Sequence, residues 1–373
     1  MTQSRDFRPA AFHELRNWAA DDALAAFAVF KAGAAAIVEG RAPLRSARAP
    51  SASLVAIGRA ALSENPRSAV EARAFFERQF APFEIFPDAE PSGPEGAFFT
   101  GYFEPVTEGS SEQSASFQAP ILARPVDLVT LARGEHLKGC DVPLTSARRV
   151  GGRLQPFPDR AAIDAGALAG QGLELVWLKD RVEVFIIQVQ GSAQVKLKDG
   201  RRIRLRYDGR NGWPYTSIGR LLIEERAIAS HEMSLEALTN WLRAHPRKAE
   251  SVMRRNRSYV FFAIADGLGE SSGPVGGADI PLTPGRSLAV DRSMWSYGLP
   301  FWVDVERPLP DGGGRDRWQR LMIAQDTGTA IVGTGRIDIF VGSGAGAGSL
   351  AGRQRHHGRL FVLLPRGEAP VRS

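Results

Sequence analysis

Apolar residues recur along this chain with two periods, and the change from one to the other divides it. Between residues 12 and 38, Leu24, Phe27, Ala34 and Ile37 fall at helical spacing, with Asp22 and Lys31 among them. That pattern predicts an amphipathic helix rather than a membrane span. A second helix is predicted over 67–80, where Ser68 and Glu71 are placed as a capping box. The turn-rich "PSGPEG" at 91–96 ends this texture. From about 105 to 210 strand signals dominate, and "VEVFIIQVQGSAQVKLKDGRRIRLRYDG" is the clearest. Its Asp199-Gly200 pair predicts a two-residue hairpin turn. Arg202, Arg204 and Arg206 alternate with Ile203, Leu205 and Tyr207, so the arginines share a face, taken as solvated. Helices follow over 216–228, 234–244 and 247–255. Beyond residue 257, "YVFFAIA", "LAVD", "FWVDV", "LMIAQD", "IDIFV" and "LFVLL" predict six short strands of a small closed barrel. The stretch "VGSGAGAGSLAG" (341–352) has too little chain after it for a dinucleotide-binding unit. It reads as a loop that admits close backbone approach.

The length of 373 residues suggests two domains, and 43% hydrophobic with 24% charged residues is an ordinary globular composition. The net charge of +6 favours a polyanionic partner: nucleic acid, an acidic membrane face or an anionic cell-wall polymer. Cys140 is the only cysteine, which excludes an internal disulfide and a cysteine metal cluster. The six histidines form no H-E-x-x-H pattern, so neither a metal nor any other cofactor is expected. The N-terminal residues lack the unbroken apolar core of a signal peptide. The expectation is either a cytoplasmic protein or a leader that this sequence does not contain.

Two aspartates, Asp326 and Asp338, bracket the glycine-rich part of "AQDTGTAIVGTGRIDIF", each at a strand edge. Aspartate is disfavoured in strands, so such an acid is either tied down by hydrogen bonds or used for chemistry. Asp291, in "SLAVDRSMW", ends a third strand. No G-x-S-x-G elbow appears, which leaves carboxylates as the acid–base candidates and glycosidic cleavage as their commonest employment. Tyr102, Phe103, Trp213, Tyr215 and Trp295 offer rings for sugar faces. Gln188, Gln190 and Ser192 near one strand end, with Asn211, offer hydrogen bonds. Two other readings stay open at this point: a glycoside hydrolase using Asp338 and Asp326 as a pair, and a non-catalytic cell-wall-binding module.

The stretches "FFTGYFEP", "IIQVQGSAQVKLKDGRRIRLRYDGRNGWPYTSIGRLLIE", "NRSYVFF", "GADIPLTPGRSLAVDRSMWSYGLPFWVDV" and "AQDTGTAIVGTGRIDIFVGSGAGAGSLAG" together resemble the lytic murein transglycosylase A (MltA) family. The resemblance covers about residues 12 to 365. It implies a mainly β protein with flanking α-helices. A discontinuous domain, 1–104 with 246–373, would join N-terminal helices to a three-aspartate double-psi β-barrel. A smaller β-barrel would be inserted at 105–245, with a glycan groove between the two. It further implies that Asp338 acts as acid and then base, with Asp326 and Asp291 supporting. The glycan would be contacted from Thr100, Gly101, Tyr102, Glu104, Gln188, Gln190, Gly191, Ser192, Asn211, Tyr215 and Ser217. The implied reaction closes a 1,6-anhydro ring on N-acetylmuramic acid and needs no second carboxylate. Peptidoglycan glycan strands are the implied partner, other cell-wall enzymes are further candidates, and nucleic acid is not. The implied location is periplasmic, with outer-membrane anchoring through a lipidated leader absent from this sequence.

Overall fold

A computed structural model describes residues 6–87, 96–132, 134–265, 272–309 and 313–370. The chain opens with β1 (Phe7–Pro9), α1 (Ala23–Glu39), α2 (Ala52–Ser63), α3 (Ala69–Gln79), β2 (Phe80–Ile85) and β3 (Ala97–Glu104). Next come β4 (Val106–Gly109), β5 (Ala119–Leu122), β6 (Leu128–Thr130), β7 (Ser146–Val150), β8 (Arg153–Pro156), α4 (Arg160–Asp164) and β9 (Glu174–Leu178). They are followed by α5 (Arg181–Gln190), β10 (Ser192–Leu197), β11 (Arg202–Arg210), α6 (Ile218–Glu224), α7 (Leu235–Ala244), α8 (Pro246–Arg255) and β12 (Val260–Ile264). The chain closes with β13 (Ser287–Ala289), β14 (Pro300–Pro308), β15 (Arg315–Asp326), β16 (Arg336–Ser343), α9 (Gly344–Arg353) and β17 (Arg355–Pro365). Two compact units result. One spans Met1–Phe103, Ser271–Gly342 and Gly346–Ser373, the other Glu104–Glu270 and Ser343–Ala345. Residues 246–265, grouped with the C-terminal barrel from the sequence, fall in the second unit. Among the described residues no helix is long and apolar enough to cross a membrane.

In the first unit the strand order β17-β14-β15-β13-β16-β3 returns to β17, so six strands close a barrel. Five are the expected C-terminal strands. The sixth is β3 rather than "YVFFAIA", because β12 pairs with β11 in the other unit. Both faces of the barrel strands are apolar: Leu288, Phe301, Val303, Ile337 and Val362 lie on one, and Leu321, Ile323 and Phe340 on the other, all almost wholly buried. β1 and β2 extend the sheet beyond β17. Three helices cover this unit, and the rings of Phe27, Phe30, Phe75, Phe76 and Phe80 pack with centroids 5.0 to 6.3 Å apart. The predicted helix over 12–38 starts only at Ala23, behind two short 3-10 turns. Just ahead of it, Asp21 forms a buried 2.7 Å ion pair with Arg286 on the barrel. Only half of the expected capping box forms at α3. Ser68 accepts from Glu71 N, while Glu71 accepts from Arg67 N instead of closing the box.

The glycine-rich stretch over 341–352 is largely helix, as α9, rather than a loop. Its small residues permit contact that side chains would block: a Cβ on Gly348 would lie 2.7 Å from the Phe103 ring. The same packing fixes Gly101, where a Cβ would lie 2.9 Å from Ala351 Cα.

In the second unit, β12-β11-β10-β4 form one sheet and β5-β9 another. Isolated bridges, Ser110 with Trp177 and Ala123 with Phe262, link their edges and complete a smaller ring of strands. "VEVFIIQVQ" is the helix α5, not a strand. Asp180 caps its start by accepting from Glu183 N, and Gly191 ends it at φ +84. These caps and the burial of Val182, Val184, Phe185 and Ile187 override the β propensity of the segment. The hairpin between β10 and β11 turns more widely than expected. Gly200 at φ +85 donates to Leu197 O, and Leu197 N to Arg201 O.

The arginine row on β11 is not uniformly solvated: Arg202 is exposed and Arg206 half-buried, but Arg204 is buried. Arg204 is 8% exposed and meets Glu104, which is 0% exposed, at 2.8 Å. Gln194 and Ser343 also donate to Glu104, at 2.8 and 2.7 Å. A buried carboxylate stripped of its cation is costly, whereas removing both charges is far less so. Arg204→Leu is therefore expected to destabilise the second unit by roughly 3–5 kcal/mol, and adding Glu104→Gln to recover part of that loss. Urea midpoints of the three proteins measure it.

Candidate active site

β13 runs between β15 and β16, and its Ala289 pairs with Asp326 on one side and Asp338 on the other. The two acids of the glycine-rich motif thus flank one residue of a middle strand. β3 reaches both. Thr100 Oγ1 donates to Asp338 Oδ1 at 2.6 Å, and the Tyr102 hydroxyl donates to Asp326 Oδ2 at 2.8 Å. Thr100 and Tyr102 are two apart on a strand and so share a face.

The two carboxyl groups differ in how they are held. Asp326 Oδ1 accepts from Gly277 N and from Thr327 N, each at 2.8 Å. With Tyr102 on Oδ2, both oxygens are occupied by donors. Gly277 has to be glycine here, since a Cβ would lie 2.5 Å from the Tyr297 hydroxyl. Burial, and then the charge of Asp326, push Tyr102 well above the ordinary tyrosine pKa, so its hydroxyl stays a donor. Asp338 has only Thr100, and its Oδ2 takes no hydrogen bond from a described residue. Ile337 and Ile339 on either side are buried. Burial raises the Asp338 pKa from 3.8 to about 6; Arg336 and the Thr100 hydrogen bond oppose the rise, and the Asp326 charge adds to it.

Asp291 braces the connection after β15. Its Oδ1 accepts from Ser293 N at 2.8 Å and its Oδ2 from Gly333 N at 2.7 Å. That ties the loop carrying the route from Asp326 to Asp338 to the end of β13.

The remaining candidate positions fall into two groups. Gly101 serves α9 packing, as described. In the second unit, Asn211 is 0% exposed and donates to Pro158 O and Arg257 O, while its oxygen accepts from Tyr259 N. Every polar atom of that side chain is committed, so it holds a loop rather than meeting a ligand. Gln188 is likewise buried, accepting from Arg160 at 2.6 Å and donating to Val260 O. Both glutamines, 188 and 190, stand at the end of a helix and not of a strand. Glu104 is enclosed by Arg204. Gly191 and Ser192 form the turn from α5 into β10, Tyr215 is half-buried, and Ser217 is exposed and caps α6. Of the aromatics, Phe103, Trp213 and Trp295 are core residues. Trp213 Nε1 donates to Phe157 O, and Trp295 packs against Phe7 and Phe301.

Sequence reasoning passed over Arg336, Gly277 and Tyr297. Arg336 NH2 donates to Thr100 Oγ1 at 2.8 Å. The pair Gly276-Gly277 in "VGGADIPL" was an available hint of close backbone approach to an acid.

This geometry, a closed barrel with paired strand-end acids that is interrupted by a second unit, has clear relatives. Residues 98–263 match the family model of the MltA specific insert domain, and residues 286–364 that of the 3D domain. Membrane-bound lytic murein transglycosylase A of Vibrio cholerae is 35% identical over 269 residues, 71% of this chain. The chain spans 64% of the length of that curated relative. The crystal structure of membrane-bound lytic murein transglycosylase from Agrobacterium tumefaciens is similar with a TM-score of 0.84 and 35% identity, covering 97% of this chain and 98% of that one. Escherichia coli MltA with bound chitohexaose is similar with a TM-score of 0.62 and 27% identity, covering 80% and 78%. The fold class is thus that of a 3D-type barrel carrying an insert. The chain belongs to the MltA family of lytic murein transglycosylases.

The raised pKa of Asp338 makes a stability prediction. The folded protein holds this proton more tightly than the unfolded chain, so ionisation costs stability. The cost is absent below the unfolded pKa near 3.8 and complete above about 6. Asp338→Asn removes it while leaving an oxygen for Thr100 to donate to. The variant should melt higher than wild type at pH 7.5, by a free energy on the order of 2–3 kcal/mol, and the difference should vanish below pH 4. Calorimetry across that range measures it.

Proposed function

We propose that this protein is a lytic murein transglycosylase that cleaves the β-1,4 bond between N-acetylmuramic acid and N-acetylglucosamine in peptidoglycan. The observation that carries the reading is the contrast between the two acids. Among the described residues Asp338 has one oxygen without a hydrogen-bond donor, and it holds its proton to about pH 6, while both oxygens of Asp326 are occupied. One group is thus suited to proton transfer and its neighbour to supplying negative charge.

Asp338 gives its proton to the glycosidic oxygen as the bond to muramic C1 breaks, and N-acetylglucosamine leaves as the free alcohol. The carboxylate so formed takes the proton of the muramic C6 hydroxyl, whose oxygen bonds to C1. The 1,6-anhydro ring closes and Asp338 is protonated again. No water is consumed, and no second carboxylate is needed as nucleophile or base. Intramolecular attack has an effective molarity of up to roughly 10⁵–10⁸ M when the geometry is right. The negative charge of Asp326 favours the positive charge that develops at C1 and opposes early loss of the Asp338 proton. Binding of chitohexaose by the Escherichia coli relative supports a β-1,4-linked amino-sugar chain as ligand. The membrane-bound relatives support a place in the cell envelope, where peptidoglycan strands lie.

Two measurements test this. Purified peptidoglycan digested in heavy-oxygen water should yield new muramic ends that are unlabelled and one water lighter than hydrolytic ends. Labelled reducing ends would make the enzyme a hydrolase and return Asp326 to the chemistry. Asp338→Asn should lower turnover by at least roughly 10²–10⁴-fold with the fold intact. Near-native rates in that variant would exclude Asp338 as the acid.

A further inference from the structure

The environment of Asp338 contains a cation that the reaction as written does not use. Arg336 lies two residues before it on β16 and is fixed from three directions. One guanidinium nitrogen donates to Ile337 O at 2.6 Å, another to Thr100 Oγ1 at 2.8 Å, and the group lies over the Phe98 ring at 5.1 Å. Thr100 Oγ1 in turn stands 2.6 Å from Asp338 Oδ1. Residues 98, 100 and 102 of β3 thus meet 336, 338 and 340 of β16 in step, through a cation over a ring, a hydrogen bond and a ring pair.

The direction of each hydrogen bond follows from the donors available. A guanidinium has N–H groups and no acceptor, so Arg336 can only donate to Thr100. A threonine hydroxyl has one proton to give, and Asp338 is its acceptor among the described residues. We propose that Arg336 is a positioning residue for the acid: through Thr100 it directs a hydroxyl proton onto Asp338 Oδ1, leaving Oδ2 as the oxygen that carries and delivers the transferable proton. The inference rests on Asp338 being the acid of the proposed reaction.

The alternative arrangement places the acid proton on Oδ1, pointing at Thr100. The threonine proton is then left without an acceptor in a partly buried site, which is unfavourable. The relay therefore selects one oxygen and one direction for proton release. It also opposes the burial of Asp338. The charged groups facing this carboxyl are Arg336 on its own strand and Asp326 on β15, with the neutral hydroxyls of Thr100 and Tyr102 on β3. Arg336 itself is pushed down by burial and held up by Asp338, as expected of a cation kept there for a neighbour.

The test is a double-mutant cycle read in two ways. Asp338 is followed by carbon-13 carboxyl NMR across pH, and turnover on purified peptidoglycan is measured over the same range. Arg336→Gln removes the charge and should raise the Asp338 midpoint by about one unit, a tenfold change in proton affinity. The acid-dependent limb of turnover should move by the same amount. Thr100→Val should do likewise and lower the rate, and Thr100→Ser should restore both. Arg336 lowers the Asp338 midpoint by its charge as well as through Thr100, so the double variant should shift by more than Thr100→Val alone but by less than the sum of the two single shifts. Additive shifts would make Arg336 a simple point charge, and an unmoved midpoint would make it structural; either overturns the proposal. If Arg336→Gln does not fold, the Thr100→Val and Thr100→Ser pair decides, since equal midpoints in those two proteins overturn it as well. The NMR titration needs no turnover. A midpoint that moves in a protein without glycan cleavage keeps the relay and rejects the enzymatic reading instead.

Discussion

A six-stranded barrel has no free hydrogen-bonding edge once it closes, and here closure depends on β3. That strand pairs with β17 and neighbours β16, so it completes the ring while presenting alternate side chains to one face. Phe98, Thr100 and Tyr102 all follow from this one register. A shift by a single residue would turn the Thr100 hydroxyl away from Asp338 and the Tyr102 hydroxyl away from Asp326. Backbone pairing, which carries no chemistry itself, thereby determines which polar groups each acid receives.

The acids are then separated in role by the number of donors they meet. Asp326 gathers two backbone N–H groups and a phenol, a setting that suits a fixed negative charge. Among the described residues Asp338 gathers one hydroxyl, and its strand neighbours Ile337 and Ile339 are buried. Burial without matching donors favours the neutral acid, and a nearby charge of like sign favours it further. Similar carboxyl groups on the two strands that flank β13 meet different surroundings without a change of residue type.

Much of this was legible in the sequence and some was not, for physical reasons. The five C-terminal barrel strands show as apolar runs because they are buried in a barrel, and the strand-end aspartates stand out against them. The choice between those aspartates was not visible from local pattern. It depends on donors from residues 100, 102 and 277, remote from either acid along the chain. Likewise "FFTGYFEP" stood out only as a stretch of family resemblance, and nothing local marked it as β3 or said which sheet it joins. The misreading of α5 was avoidable in part, since Asp180, Glu183 and Gly191 form a cap at each end of it. Alternation grouped Arg204 with Arg202 and Arg206 on a face taken as solvated, and could not reveal that the buried Glu104 lies against it. At α9 the glycines argue locally against a helix, and the need for small residues at 348 and 351 shows only once Phe103 and Gly101 are seen to lie against them.

The origin of β3 also has a consequence in time. Thr100 and Asp338 are 238 positions apart, and every other barrel strand lies beyond residue 286. As the chain emerges, β3 has none of its barrel partners until the whole second unit has been made. Contacts of such long sequence separation form late and raise the contact order of the fold. The second unit can collapse first as a loop whose two ends are thereby drawn together, which shortens the search for closure. Asp338 therefore meets Thr100 only when the last strands arrive. The contact between Thr100 and Asp338 is thereby among the longest-range contacts on which this fold depends.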